Sequence, residues 1–255
     1  MKLILSKIFA ILIKIFNLTN FFLKKFALYL TAVKIYLDKS ECKKFSDCLL
    51  LAKLKAQQPS GADRAIEYPW MIDNISIKQG KLLDVGSTAC DMLSALLPSS
   101  IEIHGINLNP KTTSNKSIKF SVGDIRKTEY ADNYFDCVTC ISTLEHIGVS
   151  GRYGSDYDSD GDAKAIAEMS RILKPGGEIL ITVPYGIKDI LPINKLYNKN
   201  RLDKLLQNFK IYSQTYIKFN QRWSIWLQVS EDEAAKTDMI KDGWYALALI
   251  KALKK

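Results

Sequence analysis

Two adjacent residues, Glu145 and His146, have the side chains best suited to moving a proton. His146 is one of only two histidines in the chain. The unperturbed imidazole pKa of about 6.5 suits a general base that removes a proton from a hydroxyl or an amine. Glu145 would orient this imidazole or hold an acceptor hydroxyl. Two structural alternatives remain open: Glu145 caps a turn or a helix start, and His146 packs against a bound cofactor without transferring a proton.

The elements that must position these residues follow an α/β pattern. From Lys81 onward, short apolar runs alternate with polar helical stretches, which indicates a doubly wound, mostly parallel sheet of seven strands. The predicted strands are Lys81–Val85, Glu102–Ile106, Lys119–Val122, Phe135–Ile141, Glu178–Val183, Lys210–Phe219 and Tyr245–Ile250. The predicted helices are Asp91–Leu97, Asp162–Leu173 and Arg201–Asn208. Sheets of this kind bind ligands beyond the carboxyl ends of their strands.

Small or polar residues follow the ends of the first three predicted strands. Gly86 follows the first, where a glycine lets the backbone turn tightly and approach a ligand. Asn107 follows the second, at the position that presents a polar side chain to ribose hydroxyls in nucleoside-binding folds. Asp124 follows the third, where a carboxylate can accept a hydrogen bond from an adenine amino group.

Taken in this order, the strand ends resemble those of class I S-adenosylmethionine-dependent methyltransferases over about residues 65–190. The resemblance rests on Leu82-Leu83-Asp84-Val85-Gly86-Ser87, Val122-Gly123-Asp124-Ile125, the strand that runs into Glu145-His146, and Leu173-Lys174-Pro175-Gly176-Gly177. It implies a Rossmann-like fold and S-adenosyl-L-methionine as the cofactor. The residues it implies for cofactor binding are Asp84, Gly86, Ser87, Asn107, Leu108, Asp124, Ile125 and Ser142.

The same resemblance places the methyl acceptor after the fourth strand. Thr143, Arg152 and Tyr153 would bind it, with His146 and Glu145 as catalytic residues. Arg152 and Tyr153 belong to a loop, residues 151–162, that is either a solvated connection or a lid over the acceptor. Four aspartates alternate in this loop, but the spacing does not fit a calcium-binding EF-hand, so we predict no metal site. Asp162 is expected to cap the next helix.

Two departures from the family pattern leave a second function class open. The usual glycine-rich turn has only one glycine here, Gly86, and Asn107 replaces the usual acid. An amide offers one acceptor and one donor, so it cannot accept from both ribose hydroxyls as a carboxylate does. The rival hypothesis is therefore a degenerate methyltransferase fold that acts as a non-catalytic, membrane-associated binding protein.

A narrower resemblance concerns the acceptor. Glu67-Tyr68-Pro69-Trp70 and the segments Ser142–Gly148 and Gly151–Gly154 are similar to a little-characterised bacterial group that occurs with surface-polysaccharide biosynthesis. This implies O-methylation of a glycan or a lipid-linked sugar at the cytoplasmic membrane face. A membrane lipid or a quinone is the alternative acceptor.

The basic charge of the protein lies in an N-terminal extension. Residues 1–60 contain eleven lysines and three acidic residues, so they hold +8 of the net charge of +9. This argues against a nucleic-acid-binding face on the domain at 61–255. Within residues 1–37, lysines recur at helical spacing opposite an apolar face, which predicts an amphipathic helix on an anionic membrane surface. A helix that packs on the domain or on a second subunit is the alternative, and a poorly formed membrane-spanning segment is a third.

Overall fold

An eight-stranded mixed sheet forms the centre of the molecule. The computed structural model describes residues 21–38, 44–46, 48–49, 52, 63–113, 115–150, 153–154, 156–223 and 225–255. The strands are β1 (Gly80–Val85), β2 (Ile101–Asn107), β3 (Lys119–Val122), β4 (Phe135–Ile141), β5 (Leu173–Tyr185), β6 (Phe209–Asn220), β7 (Ile225–Val229) and β8 (Ala246–Lys254). The helices are α1 (Phe21–Asp38), α2 (Arg64–Asn74), α3 (Cys90–Leu96), α4 (Gly161–Ile172), α5 (Lys199–Leu205) and α6 (Glu231–Ala235), with a 3-10 turn over Leu144–His146.

The strand order is β3-β2-β1-β4-β5-β8-β6-β7. The five strands from β3 to β5 are parallel to their neighbours, and β8, β6 and β7 are antiparallel. Because the order reverses between β1 and β4, the loops that follow these strands diverge and leave a crevice at their carboxyl ends. The predicted doubly wound, mostly parallel, Rossmann-like sheet is confirmed.

The predicted count of seven strands is wrong, because β7 was not recognised. This strand pairs only with β6 and forms an edge of the sheet, and none of its residues is fully buried. The segment is short, and its apolar residues Ile225, Trp226 and Leu227 were not recognised as a strand. Helix α2 was also missed, since Pro69 lies inside it and proline normally disfavours a helix interior.

The sheet has a core on each face. Along β1, Leu82 packs with α2 and α3 on one face, whereas Leu83 packs with α4 on the other. Cys137 and Cys140 of β4 divide in the same way, which confirms the prediction that they point to opposite faces, and both are free thiols. The helical layers thus fix the sheet from both sides and leave its carboxyl edge open for a ligand.

Helix α1 packs against the domain. Ala32 and Ile35 are buried in an apolar cluster with Ile190, Met239 and Trp244. For this part of the extension the packing alternative is correct. Residues 1–20 and the predicted domain boundary between residues 60 and 61 lie outside the described residues. Among the helices that the structure describes, none is both long and apolar enough to cross a membrane.

Candidate active site

A cavity of about 330 Å³ lies beyond the carboxyl ends of β1 to β4. Of the predicted site residues, nine line it: Gly86, Asn107, Leu108, Asp124, Ile125, Ser142, Thr143, His146 and Tyr153. Three others, Asp84, Ser87 and Glu145, are buried behind its wall. Arg152 lies outside the described residues. The structure therefore brings together residues that are far apart in the sequence.

The turn after β1 places Gly86 in the wall of the cavity. Gly86 has φ +85°, and a Cβ on it would lie 2.6 Å from the Oγ1 atom of Thr143, so only glycine fits. Asp84 supports this turn from behind, because its carboxylate accepts the backbone N–H of Ala89 at 2.8 Å and the hydroxyl of Thr139 at 3.1 Å. Complete burial raises the pKa of Asp84 despite these hydrogen bonds. Asp84 thus shapes the turn without lining the cavity.

The side chain of Asn107 connects the turns after β1 and β2. Its Nδ2 atom donates to the carbonyl of Gly86 at 2.7 Å, and its Oδ1 atom accepts the N–H of Asn109 at 3.1 Å. The asparagine therefore stabilises the single-glycine turn, a role that a carboxylate could not perform because it has no donor. Contact with ribose hydroxyls stays a prediction, which the second lone pair of Oδ1 still permits.

Asp124, at the other end of the cavity, is held by Arg126. The guanidinium of Arg126 donates to Asp124 at 2.6 and 2.9 Å, and it also bonds Asp158 of the acidic loop at 3.1 Å. Burial alone would raise the pKa of Asp124, but the hydrogen bonds from Arg126 outweigh it and hold the pKa below its usual value. Asp124 is therefore an ionised acceptor, next to the apolar side chain of Ile125.

His146 lies in the cavity wall at the end of the 3-10 turn. Its ring packs edge-on against the ring of Tyr153, with centroids 5.0 Å apart. Its Nε2 atom is 3.7 Å from the Oε1 atom of Glu145, whose side chain is only 2% exposed. Of the two roles predicted for Glu145, orientation of the imidazole fits this buried position. His146, in contrast, can reach a molecule in the cavity.

The sequence analysis missed three charged residues of this site. Arg64 and Lys111 line the cavity, and Glu67 is buried directly behind Arg64, to which it is ion-paired. Glu67 was noted only as part of a resemblance, although a glutamate in an otherwise apolar and aromatic segment already suggests a buried partner. Arg64 and Lys111 gave no signal because they lie outside the predicted strands and their ends.

Asp162 does not cap α4, which corrects a prediction. The helix begins at Gly161, so Asp162 lies in its first turn, and its carboxylate faces inward. It accepts from Lys195 at 2.9 Å, from Arg201 at 2.9 Å and from the hydroxyl of Tyr197 at 3.1 Å. This buried network supports the 3-10 turn, because the backbone N–H of Lys195 donates to the carbonyl of Glu145.

Two ring side chains outside the cavity, His104 and Trp226, have structural roles. His104 bonds Glu102 at 2.6 Å, and its ring contacts three aromatic rings, including Phe135 at 5.1 Å. Trp226 packs on Phe219 with ring centroids 5.3 Å apart. Neither residue is among those that line the cavity.

The central part of the chain is similar to known proteins. Residues 83–181 match the family described as "Methyltransferase domain". The ubiquinone/menaquinone biosynthesis C-methyltransferase UbiE of Francisella tularensis is 27% identical over 150 residues, which are 56% of this chain and 54% of that protein. The chain thus spans about half the length of the curated relatives it matches.

Solved structures with the same fold include proteins of different activity. Phosphoethanolamine N-methyltransferase 2 of Haemonchus contortus, in complex with S-adenosyl-L-methionine, matches 77% of this chain and 53% of that chain, with a TM-score of 0.53 and 17% identity. The [4+2]-cyclase SpnF matches 75% of this chain and 81% of that chain, with a TM-score of 0.52 and 18% identity. At such identity the likeness establishes the fold.

Proposed function

We propose that this chain, whose residues 83–181 match the methyltransferase-domain family, transfers a methyl group from S-adenosylmethionine to an acceptor oxygen. The cavity beyond β1 to β4 carries the proposal. It combines a turn at which only glycine fits, an ionised acceptor at Asp124 and an imidazole in the wall. These features suit a nucleoside with an extended side chain, and a neighbouring molecule that must lose a proton.

Each part of the site has a distinct task in this reaction. When bound, S-adenosylmethionine supplies a methyl group that is already activated on a sulfonium. The Gly86 turn and Ser142 would hold its methionine part, and Asp124 with Ile125 would hold the adenine. His146 accepts the proton of the acceptor hydroxyl at its imidazole, and Glu145 orients that ring. Most of the rate enhancement then comes from alignment of the two reactants.

We propose a glycan or a lipid-linked sugar at the cytoplasmic face of the membrane as the acceptor. Support comes from the sequence similarity around Glu67–Trp70 and Gly151–Gly154, and from the basic charge of the N-terminal extension. Tyr153 is 43% exposed at the rim of the cavity, where its ring is available to a sugar face. The protein would be peripheral to the inner face of the membrane, where the extension keeps it near a lipid-borne acceptor.

A membrane lipid or quinone is the second candidate acceptor. The name of the Francisella relative, which refers to ubiquinone and menaquinone, favours it. The apolar part of the cavity wall also favours it, since Ile106, Leu108 and Ile147 lie there.

The third candidate is a binding protein without activity. The engagement of Asn107 within the protein supports this candidate, as does the existence of a cyclase with the same fold.

A transfer assay with labelled S-adenosylmethionine separates these candidates. The full chain would be offered lipid-linked oligosaccharides, the same glycans without lipid, and a demethylated quinone. Label in a glycan oxygen supports the first proposal, and label in the quinone supports the second. Binding of S-adenosylhomocysteine without transfer to any of them would support the binding protein and contradict both enzymatic proposals.

A further inference from the structure

Arg64 occupies a position that neither the family match nor the predicted motifs assign. It is the first residue of α2 and lies in the cavity wall, among residues that follow β1 and β4, including Gly86, Ser142 and Thr143. The structure assigns to Arg64 the recognition of the α-carboxylate of the cofactor's methionine part. This inference rests on the proposed function, since it concerns the cofactor of that reaction.

The position of Arg64 is fixed by a buried hydrogen-bond network. The guanidinium pairs with the carboxylate of Glu67, which is completely buried. The same carboxylate accepts the hydroxyls of Ser142 at 2.5 Å and Thr182 at 2.6 Å. One turn further along α2, the hydroxyl of Tyr68 donates to the carbonyl of Thr88 at 3.1 Å. Arg64 is thus tied to the ends of β1, β4 and β5.

The hydrogen-bonding capacity of Arg64 is mostly unused within the protein. A guanidinium has five N–H groups in a planar fork, and within the described residues Arg64 donates one, to Glu67. Arg64 remains positively charged. Burial lowers its pKa, but the nearby Glu67 carboxylate and other neighbouring groups together raise the pKa by more. Such a fork matches the two oxygens of a carboxylate, and these charge-assisted bonds are short and strong.

Arg64 lies at the end of the cavity opposite Asp124, where the amino-acid part of the cofactor is expected. Asp124 follows β3, whereas Arg64 lies near the ends of β1 and β4. Three strand spacings separate β3 from β4, about 14 Å in all. If adenine lies against Asp124 and Ile125, the amino-acid part extends toward Arg64. The α-carboxylate is the only anionic group of S-adenosylmethionine, so it is the group that a cation at this end recognises.

Two other cations near the cavity are less suitable. Arg126 is already committed to the carboxylates of Asp124 and Asp158. Lys111 lines the cavity, but it follows β2 and donates to the carbonyl of Ser87. The ammonium of Lys111 is thus engaged by the backbone of the turn after β1.

The test compares two ligands that differ only in the carboxylate. S-adenosylhomocysteine and its decarboxylated analogue, S-adenosyl-3-thiopropylamine, are titrated into the full chain by calorimetry. The wild type should prefer S-adenosylhomocysteine by about 10- to 100-fold, the range expected for hydrogen bonds between charged groups. The double variant Arg64→Met/Glu67→Gln, which avoids an unpaired buried carboxylate, should bind both ligands within about 3-fold of each other.

A control variant makes the result specific. Lys119→Met removes a cation that pairs with Glu102 away from the cavity and retains Arg64, so it should keep the preference of the wild type. Equal binding of the two ligands by the wild type would overturn the role of Arg64 and leave the proposed function intact. A preference that survives the loss of Arg64 would do the same. If the wild type binds neither ligand at millimolar concentration, both the inference and the proposed function are wrong.

Discussion

Three acidic residues near the cavity lie in different electrostatic environments because their hydrogen-bond and ion-pair partners differ. Asp124 is paired with Arg126, which keeps its pKa low. Glu145 is buried beside His146. Asp63 is buried between the indole N–H of Trp244 and the hydroxyl of Tyr245, and its burial raises its pKa to about 6. The two neutral donors therefore do not compensate for the loss of water around this carboxylate, and the nearby charge of Glu67 raises its pKa further.

The raised pKa of Asp63 predicts a pH-dependent stability. The folded protein keeps the proton of Asp63 up to about pH 6, whereas the unfolded chain releases it near the usual pKa of 3.8. The free energy of unfolding should therefore fall as the pH rises through this window, by about 3 kcal/mol.

The measurement is urea unfolding of wild type and Asp63→Asn between pH 4 and pH 7.5. Because Asp63→Asn does not titrate, the difference between the two proteins isolates this group. We expect the wild type to lose stability relative to Asp63→Asn between about pH 4 and 6 and the difference to be constant above pH 7. A flat difference over the whole range would contradict the raised pKa.

His146 is expected to be required for transfer but not for binding. His146→Gln keeps a polar side chain of similar size but removes the base, so the transfer rate should fall by about 100-fold or more. Calorimetry should give an affinity for S-adenosylhomocysteine within about 3-fold of the wild type. Activity close to that of the wild type would favour the alternative in which His146 only packs against the cofactor.

Single residues were predicted from the sequence only where a strand end determines their place. Gly86, Asp124 and His146 follow predicted strands, and all three line the cavity. The hydrogen bond from Asn107 to Gly86 could not be predicted, since it depends on how the ends of two strands meet. Arg64 could not be predicted for a similar reason. Helix α2 precedes the matched region in the sequence, and only the fold brings Arg64 to the cavity wall.

At the scale of elements, the acceptor side of the cavity depends on a buried ionic network. The network joins the helical layer to the 3-10 turn that carries His146. It consists of Asp162 in α4, Lys195 in the segment before α5, and Arg201 in α5. Lys195 is 5% exposed and Asp162 is 3% exposed, so their ion pair is shielded from water. An uncompensated charge at this place would be costly.

Removal of one partner from this network should therefore destabilise the protein. We expect Lys195→Met to lower the free energy of unfolding by about 3 kcal/mol, because it leaves Asp162 with less compensation for its burial. The matched control is Lys199→Met, which breaks the exposed ion pair with Asp203. Urea unfolding should show no change for Lys199→Met beyond experimental error. Equal effects of the two substitutions would refute a special role for the buried pair.

The strands that border the site were predicted from the sequence, whether or not their residues are buried. The bounds of β3 and β4 match the prediction, and β4 has an almost wholly buried pattern. The edge strand β7 has five residues and was not predicted, although Ile225, Trp226 and Leu227 form an apolar run. Apolar runs thus predicted every strand that borders the site and missed this short edge strand.

At the scale of the whole molecule, the N-terminal extension has two parts. The face of α1 with Ala32 and Ile35 is buried against the domain. The lysines at 2, 7 and 14 precede this helix in the sequence. We therefore propose that packing and membrane attachment belong to successive parts of the extension, so the two interpretations do not exclude each other.

Charge reversal in the first part should weaken attachment to anionic membranes. We expect Lys7→Glu/Lys14→Glu to reduce binding to phosphatidylglycerol vesicles by at least about 30-fold, since each basic residue near the surface contributes about 1 kcal/mol. The control is Lys204→Glu/Lys210→Glu, which changes the net charge equally at exposed positions of the domain. Co-sedimentation measures both. Equal loss in the two variants would indicate attraction by net charge alone.

The central claim, that the cavity binds S-adenosylmethionine, is tested most directly by a titration of S-adenosylhomocysteine into wild type, Gly123→Phe and Val122→Phe. Gly123 lines the cavity, and a Cβ on it would contact only the side chain of Ile106, at 3.5 Å, so a phenyl ring would enter the cavity without backbone strain. Val122 is 58% exposed and outside the cavity.

We predict micromolar binding by the wild type and by Val122→Phe, and affinity at least about 10-fold weaker for Gly123→Phe. Far-ultraviolet circular dichroism would confirm that all three proteins are folded. Absence of binding by the folded wild type at millimolar ligand, or equal binding by Gly123→Phe, would contradict the assignment of this cavity to the cofactor.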